Sequence, residues 1–205
     1  MNGTVGPTPW SDFGGRAAAA YQGRFDDKPA AGEDAHGEAT FVASIAEPPA
    51  RVLDAGCGVG RVSAELTRRG FRVVGVDKDP GVLAIARERD HESRYELADL
   101  ATLFLRGQTF DVVLMAGNVI PLLAPHTLYG VMKRVAAHVN GGGVAVAGFG
   151  VDEAHLPVGC PVTPLSEYEK ACEVAGLAPV ARYSTWAKDA FRRSDGYVVE
   201  VHRLR

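Results

Sequence analysis

Three aspartates and a glycine loop are the residues of this sequence whose types and spacing could do chemistry. Asp54, Asp77 and Asp99 each end a short β-forming run, and the loop GCGVG of residues 56–60 follows the first of them. Glycine lets a backbone approach a ligand closely, and the free N–H groups at a helix start favour an anionic group. Acids at strand ends can bind ribose hydroxyls. The pattern therefore indicates a ligand that contains a nucleoside, although each acid alone could be a turn residue.

The glycine spacing separates two classes of nucleoside site. A nicotinamide-dependent Rossmann enzyme typically carries G-x-G-x-x-G, which would place the third glycine at position 61. Here the third glycine is Gly60 and position 61 is Arg61. Asp54, two residues before the first glycine, is also unusual for a dinucleotide site. An NAD(P)-binding enzyme is therefore the less favoured alternative.

The elements that must position these residues alternate from residue 51 onward. Strands are predicted at residues 51–55, 71–77, 94–99, 109–117, 141–150, 179–186 and 196–203, separated in the first five cases by helix-like or loop segments. Ser166 and Glu169 are predicted to form a capping box at the start of the last helix. Alternation predicts a parallel sheet covered by helices on both faces. Residues 187–195 are too few for a crossover helix, so the last two strands are expected to pair antiparallel.

The ordered segments LDAGCGVGR, VVGVD, ELADL and FDVVLMAGN resemble the motifs of class I S-adenosylmethionine-dependent methyltransferases, over residues 50–205. The resemblance implies an α/β fold, a doubly wound three-layer sandwich. Its seven-stranded, mostly parallel sheet would have the order 3-2-1-4-5-7-6, with the last strand antiparallel. It also implies S-adenosyl-L-methionine as the cofactor and S-adenosyl-L-homocysteine as the product.

The resemblance carries the cofactor site onto matching positions of this chain. It implies that Asp54, Gly56 and Gly58 hold the methionine part, Asp77 the ribose, Lys78, Asp99 and Leu100 the adenine, and Ala116 and Gly117 the sulfonium side. Cys57 and Asn118, in the same two loops, are further candidates for cofactor binding. A solvated lysine is the alternative for Lys78, a buried small hydrophobe for Cys57, and a turn cap for Asn118.

Catalytic residues are harder to name, because the cofactor carries the reactive group and the protein mainly orients and desolvates. A hydroxyl or acid-forming acceptor could use a base, and His155 is a candidate, with Asp152 nearby in the loop of residues 151–164. A solvated loop histidine is the alternative. Residues 118–121 read NVIP. They lack the [DNS]-P-P-[YFW] motif of family members that methylate nucleobase amino groups.

The first 48 residues are predicted to form an N-terminal tail and a helical lid, ahead of a cofactor-binding domain at residues 49–205. The Ala-rich segment of residues 32–47 looks helical, with Phe41, Val42 and Ile45 on one side. His36, near the start of that helix, could approach the cofactor carboxylate; an exposed surface position is the alternative. We expect the preceding residues to cover the cofactor as a mobile lid.

Composition limits the partners. The 205 residues are 46% hydrophobic and 23% charged, with a net charge of −3, which gives no basic footprint for nucleic acid or an anionic membrane. No apolar run approaches the roughly 20 residues of a membrane span. The three cysteines show no metal-site spacing, so we expect reduced thiols in a cytoplasm and no metal. We expect a small-molecule acceptor and no DNA; a protein or RNA methyltransferase, or a non-catalytic cofactor-binding protein, stays open, as does the oligomeric state.

Overall fold

A computed structural model of the chain describes residues 36–205. In this part of the chain seven strands form one sheet in the order β3-β2-β1-β4-β5-β7-β6. The strands are β1 Arg51–Ala55, β2 Arg72–Asp77, β3 Arg94–Leu97, β4 Phe110–Met115, β5 Val139–Gly150, β6 Leu177–Tyr183 and β7 Tyr197–Leu204. β7 runs antiparallel to both of its neighbours, and the other pairs are parallel. The predicted strand order and the antiparallel last strand are confirmed.

Helices cover both faces of this sheet. They are α1 Gly37–Ala43, α2 Arg61–Arg68, α3 Pro80–Arg89, α4 Leu128–His138 and α5 Leu165–Val174. Single 3₁₀ turns lie at Leu100–Thr102 and Glu153–His155. One apolar layer joins α4 and α5 to the sheet, and the other joins α1 and α2 to the opposite face. The strand residues alternate between the two layers, as Leu53 and Val52 do, because successive side chains of a strand point to opposite faces.

Two helix starts test the predicted caps. Asp79 accepts a hydrogen bond from the backbone N–H of Gly81 at 2.7 Å, and Pro80 occupies the first helical position, so this predicted cap is confirmed. The capping box at Ser166 is wrong: α5 begins at Leu165 after Pro164, with no side-chain cap. Glu169 instead pairs with Arg182 on β6, because a charged partner binds a carboxylate more strongly than a backbone N–H does.

The first described helix is shorter than the sequence indicated. α1 covers Gly37–Ala43 within the predicted segment of residues 32–47. Phe41 and Val42 are buried as expected, whereas Ile45 lies past the helix end and is 37% exposed. The predicted mobile lid, which precedes the segment of residues 32–47, lies outside the described residues.

Residues 36–205 contain neither a candidate membrane-spanning helix nor a candidate metal centre. No helix in that range is long and apolar enough to cross a bilayer. The same range contains no group of three or more His, Cys, Asp or Glu side chains arranged to hold a metal ion. The candidate ligand site is the carboxyl edge of the sheet, because ligands bind there in open α/β sheets.

Candidate functional site

A cleft lies at the carboxyl ends of β1, β2, β3 and β4. It encloses about 1120 Å³ of empty space, open solvent at its mouth included. Most of the predicted cofactor residues line it: Asp54, Gly56, Cys57, Gly58, Asp77, Lys78, Asp99, Leu100, Ala116 and Gly117. Parallel strands bring their carboxyl ends to one edge, so residues far apart in the sequence meet here.

The glycine loop turns sharply between β1 and α2. Gly56 and Gly58 both adopt positive φ angles, 87° and 52°, which side chains rarely tolerate. A Cβ atom on Gly56 would lie 2.6 Å from a methyl of Val119, so this glycine is needed for close packing. A Cβ atom on Gly58 would meet nothing within 4 Å. The loop therefore turns tightly on one side and leaves open space over Gly58 on the other.

Asp77 is anchored to the same loop. One carboxylate oxygen accepts from the backbone N–H of Gly58 at 2.9 Å, and the other accepts from the N–H of Asp79 at 3.0 Å. Burial raises the pKa of Asp77, and the two backbone hydrogen bonds act against this rise. A carboxylate offers about four acceptor positions. Asp77 thus retains acceptor capacity for a ligand in the cleft.

Asp54 is the most buried acid of the cleft, with 2% exposure. The hydroxyl of Ser63 donates to its carboxylate at 2.6 Å. Burial raises the pKa of Asp54 to about 6, and the positive charge of Arg61 acts in the opposite direction. The cleft therefore contains a carboxylate whose charge is only partly compensated within the protein.

Glu38 and Arg61 also line the cleft, and neither was among the residues predicted to bind the cofactor. Their side chains form an ion pair that links α1 to the start of α2. One signal in the sequence could have found it. A cation at a helix N-terminus opposes the helix dipole, so Arg61 in the first position of α2 needs an acidic partner.

An apolar wall comes from the segment between β4 and α4. Its members in the cleft are Val119, Leu122, Leu123 and Ala124, followed by Thr127. No regular period marks this segment in the sequence, so its place against Leu100 and the glycine loop was not predictable. Asp99, on the same side, also accepts a hydrogen bond from the backbone N–H of Ala101 at 2.8 Å and so caps a 3₁₀ turn.

His36 and Asn118 lie outside the lining of this cleft. His36 flanks α1 and borders a separate surface depression with Ala64, Glu65 and Thr67. Asn118 accepts a hydrogen bond from the N–H of Gly150 at 2.7 Å and donates to the carbonyl of His155 at 3.3 Å. Asn118 thus joins the exit of β4 to the turn that follows β5, where Asp152 and His155 lie.

Comparison with known proteins agrees with this geometry. A family model described as a methyltransferase domain matches residues 52–143. Over 111 residues the chain is 33% identical to malonyl-[acyl-carrier protein] O-methyltransferase of Serratia marcescens, covering 54% of this chain and 42% of that protein. Over 100 residues it is 35% identical to ubiquinone biosynthesis O-methyltransferase of Azorhizobium caulinodans, covering 47% and 38%. The matches thus span less than half the length of these curated relatives.

A solved structure extends the likeness over nearly the whole chain. It is a TehB-like S-adenosylmethionine-dependent methyltransferase from Corynebacterium glutamicum, 28% identical, with a TM-score of 0.82. The match covers 93% of this chain and 99% of that one. With the sheet order and the glycine loop, these findings support a class I S-adenosylmethionine-dependent methyltransferase.

Proposed function

We propose that this protein transfers the methyl group of S-adenosylmethionine to a small-molecule acceptor and leaves S-adenosylhomocysteine. The observation that carries the proposal is the meeting of Asp54, Asp77 and Asp99 with the glycine loop in one cleft. The cofactor's sulfonium supplies an activated methyl group, so the protein has to bind, orient and exclude water rather than activate the donor.

The lining suits the three parts of this cofactor. We assign the two ribose hydroxyls to Asp77, which has acceptor capacity beyond its bonds to Gly58 and Asp79. We assign the adenine to Leu100 and the apolar wall, with Asp99 and Lys78 at its edge. The charged amino-acid end then faces Asp54 and the pair of Glu38 and Arg61, which carry both signs of charge. Open space over Gly58 leaves room for the chain between them.

A small-molecule acceptor is supported by the named relatives, which include an enzyme of ubiquinone biosynthesis. Another named relative acts on a malonyl group carried by a protein, so relatives of this chain differ in acceptor. Because one fold hosts many reactions, the acceptor has to be argued from the site and tested directly.

We also propose that residues 1–48 form a tail and helical lid of the cofactor domain at residues 49–205. The support is that Glu38 of α1 already lines the cleft. The thiols of Cys57, Cys160 and Cys172 are free, which supports a reducing compartment, and we place the protein in the cytoplasm.

Calorimetry tests the cofactor assignment. S-adenosylhomocysteine and S-adenosylmethionine are expected to bind, and NAD(P) is expected to give no heat of binding. Equal or tighter NAD(P) binding would contradict the proposal. Transfer is tested by incubation with S-adenosylmethionine and a panel of phenols, alcohols, carboxylic acids and amines, with S-adenosylhomocysteine formation as the readout. Binding without transfer to any compound would favour the non-catalytic alternative.

A further inference from the structure

The turn after β5 holds an acid and a histidine in direct contact. One carboxylate oxygen of Asp152 accepts from the Nδ1 of His155 at 2.7 Å and from the backbone N–H of the same residue at 3.1 Å. The hydrogen bonds from His155 lower the pKa of Asp152, so the carboxylate is ionised and can only accept. The proton of the neutral ring therefore lies on Nδ1, and Nε2 carries a free lone pair.

Asp152 and His155 pack directly against the backbone of two glycines. A Cβ atom on Gly196 would overlap both the ring of His155 and the carboxylate of Asp152. A Cβ atom on Gly150 would lie 2.6 Å from the carbonyl oxygen of His155. The N–H of Val151 also donates to the carbonyl of Gly196 at 2.9 Å, which ties the turn to the start of β7. The turn is therefore packed onto two strand ends and not held by its own cap alone.

The pair also lies beside the cleft. Asn118 holds the turn through the carbonyl of His155 and the N–H of Gly150. Its chain neighbours, Gly117 and Val119, both line the cleft. The side chains of Asp152 and His155 are each 48% exposed, so a ligand that reaches past Gly117 meets an accessible base.

We propose that His155 is the general base of this enzyme, that Asp152 is its positioning residue, and that the acceptor is a hydroxyl compound. This inference rests on the proposed methyl transfer. A carboxylate, or an amine that is already neutral, offers a lone pair without losing a proton first, whereas a neutral hydroxyl needs a base to take its proton as the new bond forms. As the acceptor oxygen forms its bond to the methyl carbon, the carbon–sulfur bond breaks and its electron pair stays on sulfur. The hydroxyl proton moves to Nε2 of His155 and leaves to solvent.

The competing reading is that Asp152 only caps the 3₁₀ turn. Three variants separate the two readings. His155→Gln removes the base and keeps the cap, since the backbone N–H of residue 155 still reaches Asp152. Asp152→Asn keeps an acceptor for that N–H and removes the charge. Gly196→Ala displaces the pair without changing either side chain. The matched controls are His91→Gln, at an exposed histidine, and Gly141→Ala, where a Cβ atom meets nothing within 4 Å.

The first measurement does not depend on turnover. Nitrogen NMR of the ring of His155 is expected to show the proton on Nδ1 in the unmodified protein, and redistribution toward Nε2 in Asp152→Ala. Calorimetry with S-adenosylhomocysteine is expected to give the same dissociation constant, within threefold, for the unmodified protein and for the variants. If the unmodified protein fails to bind S-adenosylhomocysteine, the proposed function itself fails.

The second measurement is kcat on the hydroxyl compound of the panel that reacts fastest. General bases contribute roughly 10²–10⁴-fold, so His155→Gln is expected to lower kcat at least about a hundredfold, with Asp152→Asn and Gly196→Ala in between. The controls are expected to match the unmodified protein. A kcat loss below tenfold in His155→Gln, a ring protonated on Nε2, or a panel in which no hydroxyl compound is methylated would overturn the inference.

Discussion

Two buried acids on different strands of the sheet, Asp54 on β1 and Glu200 on β7, have different surroundings. Asp54 in the cleft has the hydroxyl of Ser63 as its hydrogen-bond partner, and burial raises its pKa to about 6. Glu200 on β7 is 1% exposed and forms an ion pair with Arg182, which also pairs with Glu169. Burial raises the pKa of both acids, but Glu200 is ion-paired with a guanidinium, whereas Asp54 lines the cleft and has a hydroxyl as its hydrogen-bond partner. We therefore expect changes near Glu200 to affect stability and changes near Asp54 to affect binding.

The largest expected effect is at Arg182. Arg182→Met leaves Glu200 buried without its cation, and breaking a buried pair typically costs 3–5 kcal/mol. Because the side chain of Arg182 is 35% exposed, we expect about 2–4 kcal/mol lost from the free energy of unfolding. Urea denaturation measures it, with the exposed Arg193→Met as control. Equal stability of the two variants would show that the ion pair does not support the fold.

The second effect is a pH dependence from His202, which lies beside Glu200, Arg182 and Tyr168. Burial, and then the charge of Arg182, lower the pKa of His202 to about 4. The unfolded chain, with a histidine pKa near 6.5, binds more protons between these values, so stability falls as pH drops from about 6.5 to 4. This difference corresponds to at most about 3 kcal/mol.

His202→Gln is expected to flatten that part of the stability profile, measured by denaturation at several pH values. The raised pKa of Glu200 acts with the opposite sign, so the comparison has to be made between the variant and the unmodified protein at each pH. A loss of stability below pH 6.5 that is equally steep in the variant would assign the acid sensitivity to other groups.

The third effect belongs to the cleft. Asp77→Ala removes the acceptor assigned to the ribose hydroxyls, and bonds to a charged partner are worth about 1.5–3 kcal/mol each. We expect at least a tenfold loss of S-adenosylhomocysteine affinity by calorimetry. Asp79→Ala, which removes a helix cap outside the cleft lining, is the control: it should lower stability by about 1 kcal/mol and leave affinity unchanged. A normal dissociation constant in folded Asp77→Ala would remove Asp77 from the site.

The smallest expected effect is the change in stability on replacing Asp54. Asp54 has a raised pKa in the folded protein, so its ionisation costs stability as pH rises from about 4 to 6. Asp54→Asn is therefore expected to stabilise the ligand-free protein at pH 7, by about 1 kcal/mol after partial compensation, and to weaken cofactor binding. Glu200→Gln is the matched amide change: the raised pKa of Glu200 also favours the amide, but the amide loses the ion pair with Arg182, so it should stabilise less than Asp54→Asn does. Destabilisation by both would show that the two acids serve the same structural role.

Local patterns accounted for the seven strands, and the family resemblance for their order and for the roles of the cofactor residues. Alternation from β1 to β5 predicted parallel pairing, and the short loop before β7 predicted the antiparallel last pair. Asp54, Asp77 and Asp99 each end a β run, and parallel strands bring such ends to one edge. That is why residues 45 positions apart in the sequence lie in one cleft. The predicted cap of α5 was wrong because Glu169 forms an ion pair with Arg182 on β6, a contact that no local pattern reveals.

Only the tertiary structure decided the contacts between segments that lack a regular sequence pattern. The pairing of Glu38 with Arg61 and the apolar wall at residues 119–124 both depend on how connecting segments pack over the glycine loop. The sequence indicated His155 and Asp152 only as members of one loop. Together they pack against Gly150 and Gly196. These two glycines lie close together because β5 and β7 pair antiparallel. The relative positions of these side chains depend on how distant segments pack in three dimensions. Local propensity and periodicity do not encode that packing.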